Sequence, residues 1–485
     1  MTTRHKPAIR WTIVFSALVM ACGGGGGDGA DDGDDGTSPP PPPTPVSSVT
    51  ITPGPALTLS VGATSQLTAT ARDQQGNVLT GRDIAWATTA QGIATVSTNG
   101  LVTATAVGSA QIRATSEGKV GEVAVTVEAL PWTLTGSLTT GRTLHSATLL
   151  ADGRVLVTGG QAIGTTQSLR SAEVYNPATG TWTSTGDMIT GRTNHVAVRL
   201  QNGRVLVAGG VSVEQQTRLA SAEIYDPSTG TWTATGNLVT ARQLAGASLL
   251  NDGRVLLFGG SGPNGNFDPL ATSELYNPAT GQWASAGAMT VPRVGHAAVL
   301  LSNGRILASG GATNSISGVV LHASSEVYNP TTGQWTGSGN FLTARSFHAT
   351  VVLANGRPLI AGGSNYVSTA YGAADVYDPV TGGWTGTGSL LTGRVSHTAT
   401  RLPNGKVLVA GGTGATGTLG STELYDAATG TWSAAAPLRV ARLNHAAVLL
   451  NTGKVLVVGG QGTGASTSAE LFDPAVGASV SGRLK

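Results

Sequence analysis

Six of the eight histidines stand in one frame, Arg-x-x-His: His145, His195, His296, His348, His397 and His445 follow Arg142, Arg192, Arg293, Arg345, Arg394 and Arg442. A seventh Arg, Arg242, is followed instead by Ala245. A ring of imidazoles suggests a metal, but one ion takes few ligands in fixed geometry, and a position repeated at near-equal intervals serves repeated packing. No metal site and no cofactor is expected. Downstream of each Arg comes one acid: Glu173, Glu223, Glu274, Glu326, Asp375, Glu423 and Glu470. Seven guanidiniums and seven carboxylates brought to one rim predict structural ion pairs, although a guanidinium that holds its acid by one edge keeps donors for a ligand on another. A second basic series, Arg154, Arg204, Arg254, Arg305, Arg357, Lys406 and Lys454, follows a Gly in each short turn and reads as a solvated collar at the opposite rim. No nucleophile motif or pair of carboxylates stands out, so no catalytic residue is assigned.

The elements that must position these residues follow from the period. The seven Arg recur every 48 to 52 residues, and each is followed 17 residues later by a Gly-Gly pair, the first at Gly159 and the last at Gly459. Between Arg and Gly-Gly lie two apolar strands around a tight turn, as in "HVAVRLQNGRVLVAGG". The pairs Asp152-Gly153, Asn202-Gly203 and Asn303-Gly304 predict two-residue type I′ hairpins. A loop of variable length leads to a third strand carrying the acid and a Tyr (Tyr175, Tyr225, Tyr276, Tyr328, Tyr377, Tyr425), which reads as core, and then to a Trp nine residues after the acid. In the last repeat Ser479 stands where that Trp belongs, while Trp132 precedes Arg142 by ten residues, the spacing of Trp182 to Arg192. The strand at Trp132 therefore completes the last repeat, closing a ring and removing two open sheet edges.

Four strands per unit of about 50 residues, with Gly-Gly, Tyr and Trp at fixed places, resemble the Kelch repeats of β-propellers, of the galactose oxidase central-domain type. The resemblance implies an all-β chain with a seven-bladed Kelch β-propeller over residues 131–485. Copper-radical oxidases of that type need a Tyr crosslinked to Cys; here only Tyr366 and Tyr371 lie outside the repeated positions, and the single Cys, Cys22, sits at the end of the leader. That chemistry is not expected. Upstream, residues 46–129 read as short alternating strands of an antiparallel sandwich with Trp86 in its core. "IAWATTAQGIATVSTNGLVTATAVGSAQIRATS" resembles bacterial Ig-like domains of group 2, modules that serve as spacers and in adhesins alike.

Residues 1–22, "MTTRHKPAIRWTIVFSALVMAC", have a basic start, a short apolar stretch and small residues before Cys22, the pattern of a secretory signal. "VMAC" resembles the lipobox of bacterial lipoproteins, which makes Cys22 the lipidation site, and Gly23 after it implies the outer membrane, facing either periplasm or surface. No second Cys is present, so the exported part has no disulfide. Residues 23–45 are a Gly/Asp/Pro-rich tether that cannot bury a core. Setting aside three leader cations and five tether Asp leaves 25 basic and 21 acidic residues, too balanced for a nucleic-acid partner.

These features predict a monomeric envelope lipoprotein whose propeller is a non-catalytic platform for a glycan or protein. The alternative is a carbohydrate-active hydrolase, lyase or epimerase using the same rim. Ligand contact is expected on the second-to-third-strand loops of blades two to five, because loop length varies and loops on rigid scaffolds carry function. From Gly-Gly to acid the spacing is 15 and 16 residues in blades three and four, against 11 in the last. Those loops offer Asn264, Asn266, Phe267, Asp268, Asn314 and His322, and blade five adds Tyr366 and Tyr371: amides and a carboxylate beside aromatic faces, as sugar recognition uses.

Overall fold

The structure, a computed structural model, describes residues 42–264, 267–315, 318–365 and 369–476. Cys22 with the rest of the leader and nearly all of the tether, and also Asn266 and Tyr366, lie outside these residues.

In the N-terminal part, one sheet runs in the order Ala56–Ser60, Lys119–Glu128, Gly108–Ser116, Ala85–Thr88, and a second joins Thr64–Gln66, Leu101–Ala104 and Ala94–Val96. Burial alternates along Gly108–Ser116 and Lys119–Glu128, so Ile112, Val123, Val125 and Val127 face inward against Leu67 and Val102. Trp86 is only partly buried: its ring lies over Gly100, where a Cβ would come within 2.9 Å of it.

Beyond Pro131 the described residues form seven four-stranded antiparallel sheets in succession, which we call blades. Blade one consists of Ser146–Leu149, Val155–Thr158, Ala172–Asn176 and Thr181–Ser184. The first strands of successive blades neighbour one another in a closed circle, the last (Ala446–Leu449) touching the first. Every second strand is buried at all four positions. A strand covered by blades on both sides has no solvent face, which is why these segments read as unbroken apolar runs such as Val-Leu-Val.

The last blade is completed by Trp132–Thr135, which pairs with Ala469–Phe472 in the register Trp132↔Phe472. Trp132 is 2% exposed, its ring centroid lies 5.0 Å from that of Phe472, and its Nε1 donates to the Ala436 carbonyl at 2.9 Å. The other blades repeat this contact as Tyr–Trp pairs at 5.0 to 5.3 Å.

The first hairpins are not type I′. Gly153 N donates to Leu150 O and Leu150 N to Arg154 O, and Gly153 alone has positive φ, 87°. This is a type I turn closed by a Gly bulge. Asp152 stays at negative φ because its Oδ1 accepts the Arg154 N–H at 3.0 Å, a local bond that a type I′ geometry would forgo.

Candidate functional site

The seven repeated Arg are 0 to 1% exposed. At Arg142 the Nε–H donates to Thr140 O, one terminal nitrogen to the carbonyls of Gly159 and Ser171, and the other to Ser171 Oγ and Glu173 Oε1 at 2.8 Å. All five donors are used, so the expectation of donors left over for a ligand fails here and at Arg192, Arg242, Arg293, Arg394 and Arg442, which repeat the pattern. Arg345 also meets its acid, Asp375, but Ala373 stands where the other blades place a Ser or Thr hydroxyl. The acid is equally occupied: Glu173 accepts from the backbone N–H of Thr139 and Thr140. The ion pairs thus staple the incoming connection, the Gly-Gly corner and the third strand of each blade together.

The histidines explain the Gly-Gly pairs. A Cβ on Gly159 would lie 2.9 Å from His195 Cε1 and 2.6 Å from the Arg192 carbonyl, and the same imidazole contact recurs at Gly259, Gly310, Gly362, Gly411 and Gly459. Each imidazole therefore packs on the Gly of the preceding blade. Desolvation, reinforced by the neighbouring Arg, pushes His145, His195, His296 and His397 down to about 3, and His348 and His445 well below the usual histidine range. They are neutral packing groups.

Just before each histidine position lies a residue that sequence reasoning missed. Leu144, Asn194, Leu244, Phe347, Ser396 and Asn444 have φ of 51 to 57°, and Gly295 has 66°. Together with His145, His195, His296, His348, His445 and Ala245 these residues line an axial cavity of about 380 Å³. Backbone bonds link five adjacent pairs around the axis, including Leu144 N to Asn444 O at 3.2 Å, which joins first and last blades. Only Asn and Gly advertise a left-handed backbone; the Leu, Ser and Phe at this position gave no local signal.

Residues 45–127 match the bacterial Ig-like domain (group 2) family, and residues 142–189 and 192–238 match the Kelch motif. The chain carries a Kelch propeller behind an Ig-like domain. A fungal alcohol oxidase of the AA5 family, in complex with copper, is similar in fold, with a TM-score of 0.58 at 18% identity over 71% of this chain and 76% of that one. Solved structures with a similar fold number 686 chains, so the fold by itself does not select a function. No curated protein sequence matches. The donors of this Kelch propeller do not fit a metal: the imidazoles are packed against glycines, and among the described residues no three of His, Cys, Asp and Glu come together as a ligand set.

The irregular features of the Kelch propeller concentrate in blades three and four. Ala245 replaces the histidine of blade three, and no imidazole covers Gly209. Phe258 ends the second strand where other blades have smaller residues, and Gly246 makes room, since a Cβ there would lie 2.7 Å from its ring. In five blades the core Tyr hydroxyl bonds a Thr or Ser of the preceding blade; Tyr328 faces Ala286 instead, and among the described residues its buried hydroxyl has no partner, nor has Trp283 Nε1.

The long loops of these blades are ordered by their own polar groups. Asp268 Oδ2 accepts Asn264 N at 3.1 Å, and His322 Nε2 lies 3.0 Å from Thr313 Oγ1 across the hairpin Ala312–Ser315/Gly318–Leu321. Asn314 Nδ2 donates to Phe267 O at 2.7 Å, joining the blade-four loop to that of blade three. The structure thus brings Asn264, Phe267, Asp268, Asn314 and His322 into one bridged pair of loops and spends the polar groups of Asp268 and His322 on holding it. Tyr371, half-buried in blade five, bonds through its backbone to Gly363 and Arg394.

At the opposite rim six of the collar cations pair with an acid of their own blade, as in Arg204–Asp226 at 2.9 Å and Lys454–Asp473 at 3.1 Å. Three clefts open between neighbouring turns on this face.

Proposed function

We propose that the chain is an outer-membrane lipoprotein, anchored through Cys22 and tethered by residues 23–45, whose propeller binds a glycan or protein without chemistry, at the loop face of blades three and four. What carries the reading is the Asn314–Phe267 bridge. Ordering a long loop costs conformational entropy, about 1 to 2 kcal/mol per residue, and a loop that merely joins two strands needs neither the length nor a bond to its neighbour. The outward groups of this pair are Asn264 and the half-exposed Val319 and Val320, at 43 and 40%. A mixed amide and apolar surface on a rigid ring suits a sugar face or a polypeptide strand. The ring arginines are ion-paired, the ring histidines are packed against glycines, and Asp268 and His322 are hydrogen-bonded within their own loops, which supports binding without chemistry. The test is to probe glycan and protein arrays with the full chain in detergent and to assay captured sugars for products. Saturable capture without turnover supports the platform; released product would replace it with the enzyme reading. Membrane fractionation of Cys22→Ser, expected to be soluble, tests the anchor.

A further inference from the structure

The collar follows a rule that blade four breaks. Each blade has two acid-bearing places beside its collar cation: the residue before the hairpin Gly, and the last residue of the third strand or the one just after it. Six blades hold one Asp between the two places: Asp152 and Asp252 at the hairpin, Asp226, Asp378, Asp426 and Asp473 at the third strand. In each the Asp caps its turn with one oxygen and meets the cation with the other, as Asp226 does with Ser228 N at 3.0 Å and Arg204 Nε at 3.0 Å. Blade four has Asn303 and Asn329. Both caps survive, Asn303 Oδ1 accepting Arg305 N and Asn329 Oδ1 accepting Thr331 N. Because a backbone N–H can only be accepted by the amide oxygen, each Nδ2 group is turned the other way, and where other blades offer an acceptor this one offers donors. Among the described residues Arg305 has no ion-pair partner, and it is exposed.

Arg305, Asn303 and Asn329 line a cleft of about 660 Å³ between blades three and four, with Asn251, Thr331 and the Arg254–Asp252 pair, closed at 2.7 Å, on its other sides. The cleft between blades one and two, lined by Asp152, Arg154, Arg204 and Asp226, is charge-neutral; this one carries one uncompensated cation.

We propose that this cleft is an oxyanion site, with the Arg305 guanidinium and the Nδ2 groups of Asn303 and Asn329 as donors to a carboxylate or sulfate group of an acidic saccharide. A planar fork of donors matches a carboxylate or sulfate edge, and charge-assisted bonds to it are stronger than neutral ones. The site is on the face opposite the long loops and does not rest on their binding role.

The experiment titrates the full chain in detergent at low salt with a uronic-acid tetrasaccharide, a sulfated disaccharide and a neutral tetrasaccharide. Saturable binding of one or both acidic probes, but not the neutral one, is expected; the probe that binds names the carboxylate or the sulfate as the group. Arg305→Gln, and Asn329→Asp, which restores the acid of the other blades, should each weaken it about tenfold or more, roughly 1.4 kcal/mol. Arg204→Gln in the neutral cleft should leave it unchanged. No saturable binding of either acidic probe, or binding indifferent to both blade-four substitutions, overturns the proposal.

Discussion

Blades one and two and blades three and four are built from the same repeat, yet they keep its contacts to different degrees. In the first pair Tyr175 and Tyr225 bond Thr135 and Thr185, His195 packs on Gly159, and both collar cations are paired. In the second pair Ala245 removes an imidazole, Ala286 stands in place of a Tyr-bonding hydroxyl, Asn303 and Asn329 together omit the one collar acid, and the loops lengthen. A buried polar group left unpaired costs about 1 to 3 kcal/mol. A ring that tolerates this at one sector, while keeping every Arg–acid staple, has its stability in the staples and its freedom to vary in the sector.

The largest effect should come from opening the ring. Deleting residues 131–138 removes Trp132 and exposes the edge of Ala469–Phe472; truncating such an aromatic alone costs about 3 to 5 kcal/mol, so the deletion should aggregate or lose most of its melting temperature. A melt like the parent's would refute closure. Next comes a single staple: Arg394→Ala strands Glu423 in the interior and should cost about 3 to 5 kcal/mol in denaturant unfolding. A loss below about 1 kcal/mol would mean that the staples do not carry the ring.

Acid should act on the same regular framework. Four of the folded imidazoles stay neutral to about pH 3 and His348 and His445 are held well below the usual histidine range, whereas unfolded ones protonate near 6.5, so below that value the unfolded chain binds more protons. Stability is complete above 6.5 and falls as pH drops towards 3. Scanning calorimetry should find a melting temperature lower by more than about 10 °C at pH 4 than at pH 7. A flat profile would mean the imidazoles are solvated. A smaller effect of opposite sign is expected in the irregular sector: Ala286→Thr supplies the hydroxyl that Tyr328 lacks and should stabilise by about 1 kcal/mol. No gain would show that the Tyr328 hydroxyl already has a partner such as water.

What the sequence disclosed and what it hid divide along the same line. Strand order, the closing role of Trp132 and the Arg–acid partnership were legible because each is a spacing, and a spacing repeated seven times is hard to misread. Turn type was misread at Asp152-Gly153, since whether Asp adopts positive φ depends on the bond its side chain makes to Arg154. The axial belt was invisible because Leu144 and Phe347 are held left-handed by neighbouring blades rather than by their own chemistry. At the loops, Asn314 and Asp268 stand out in the sequence as polar residues in long inserts, but only the fold tells a group aimed at a ligand from one that ties its own loop.

The claim that binding resides in the irregular sector is tested most directly by shortening the loops of blades three and four to the 11-residue spacing of the last blade, in one variant, and comparing it with the full chain on the same glycan and protein arrays. Since the staples at Arg242 and Arg293 are untouched, the variant should melt within about 0.5 kcal/mol of the parent and lose the parent's capture. Capture that survives the shortening with an intact fold would contradict the account.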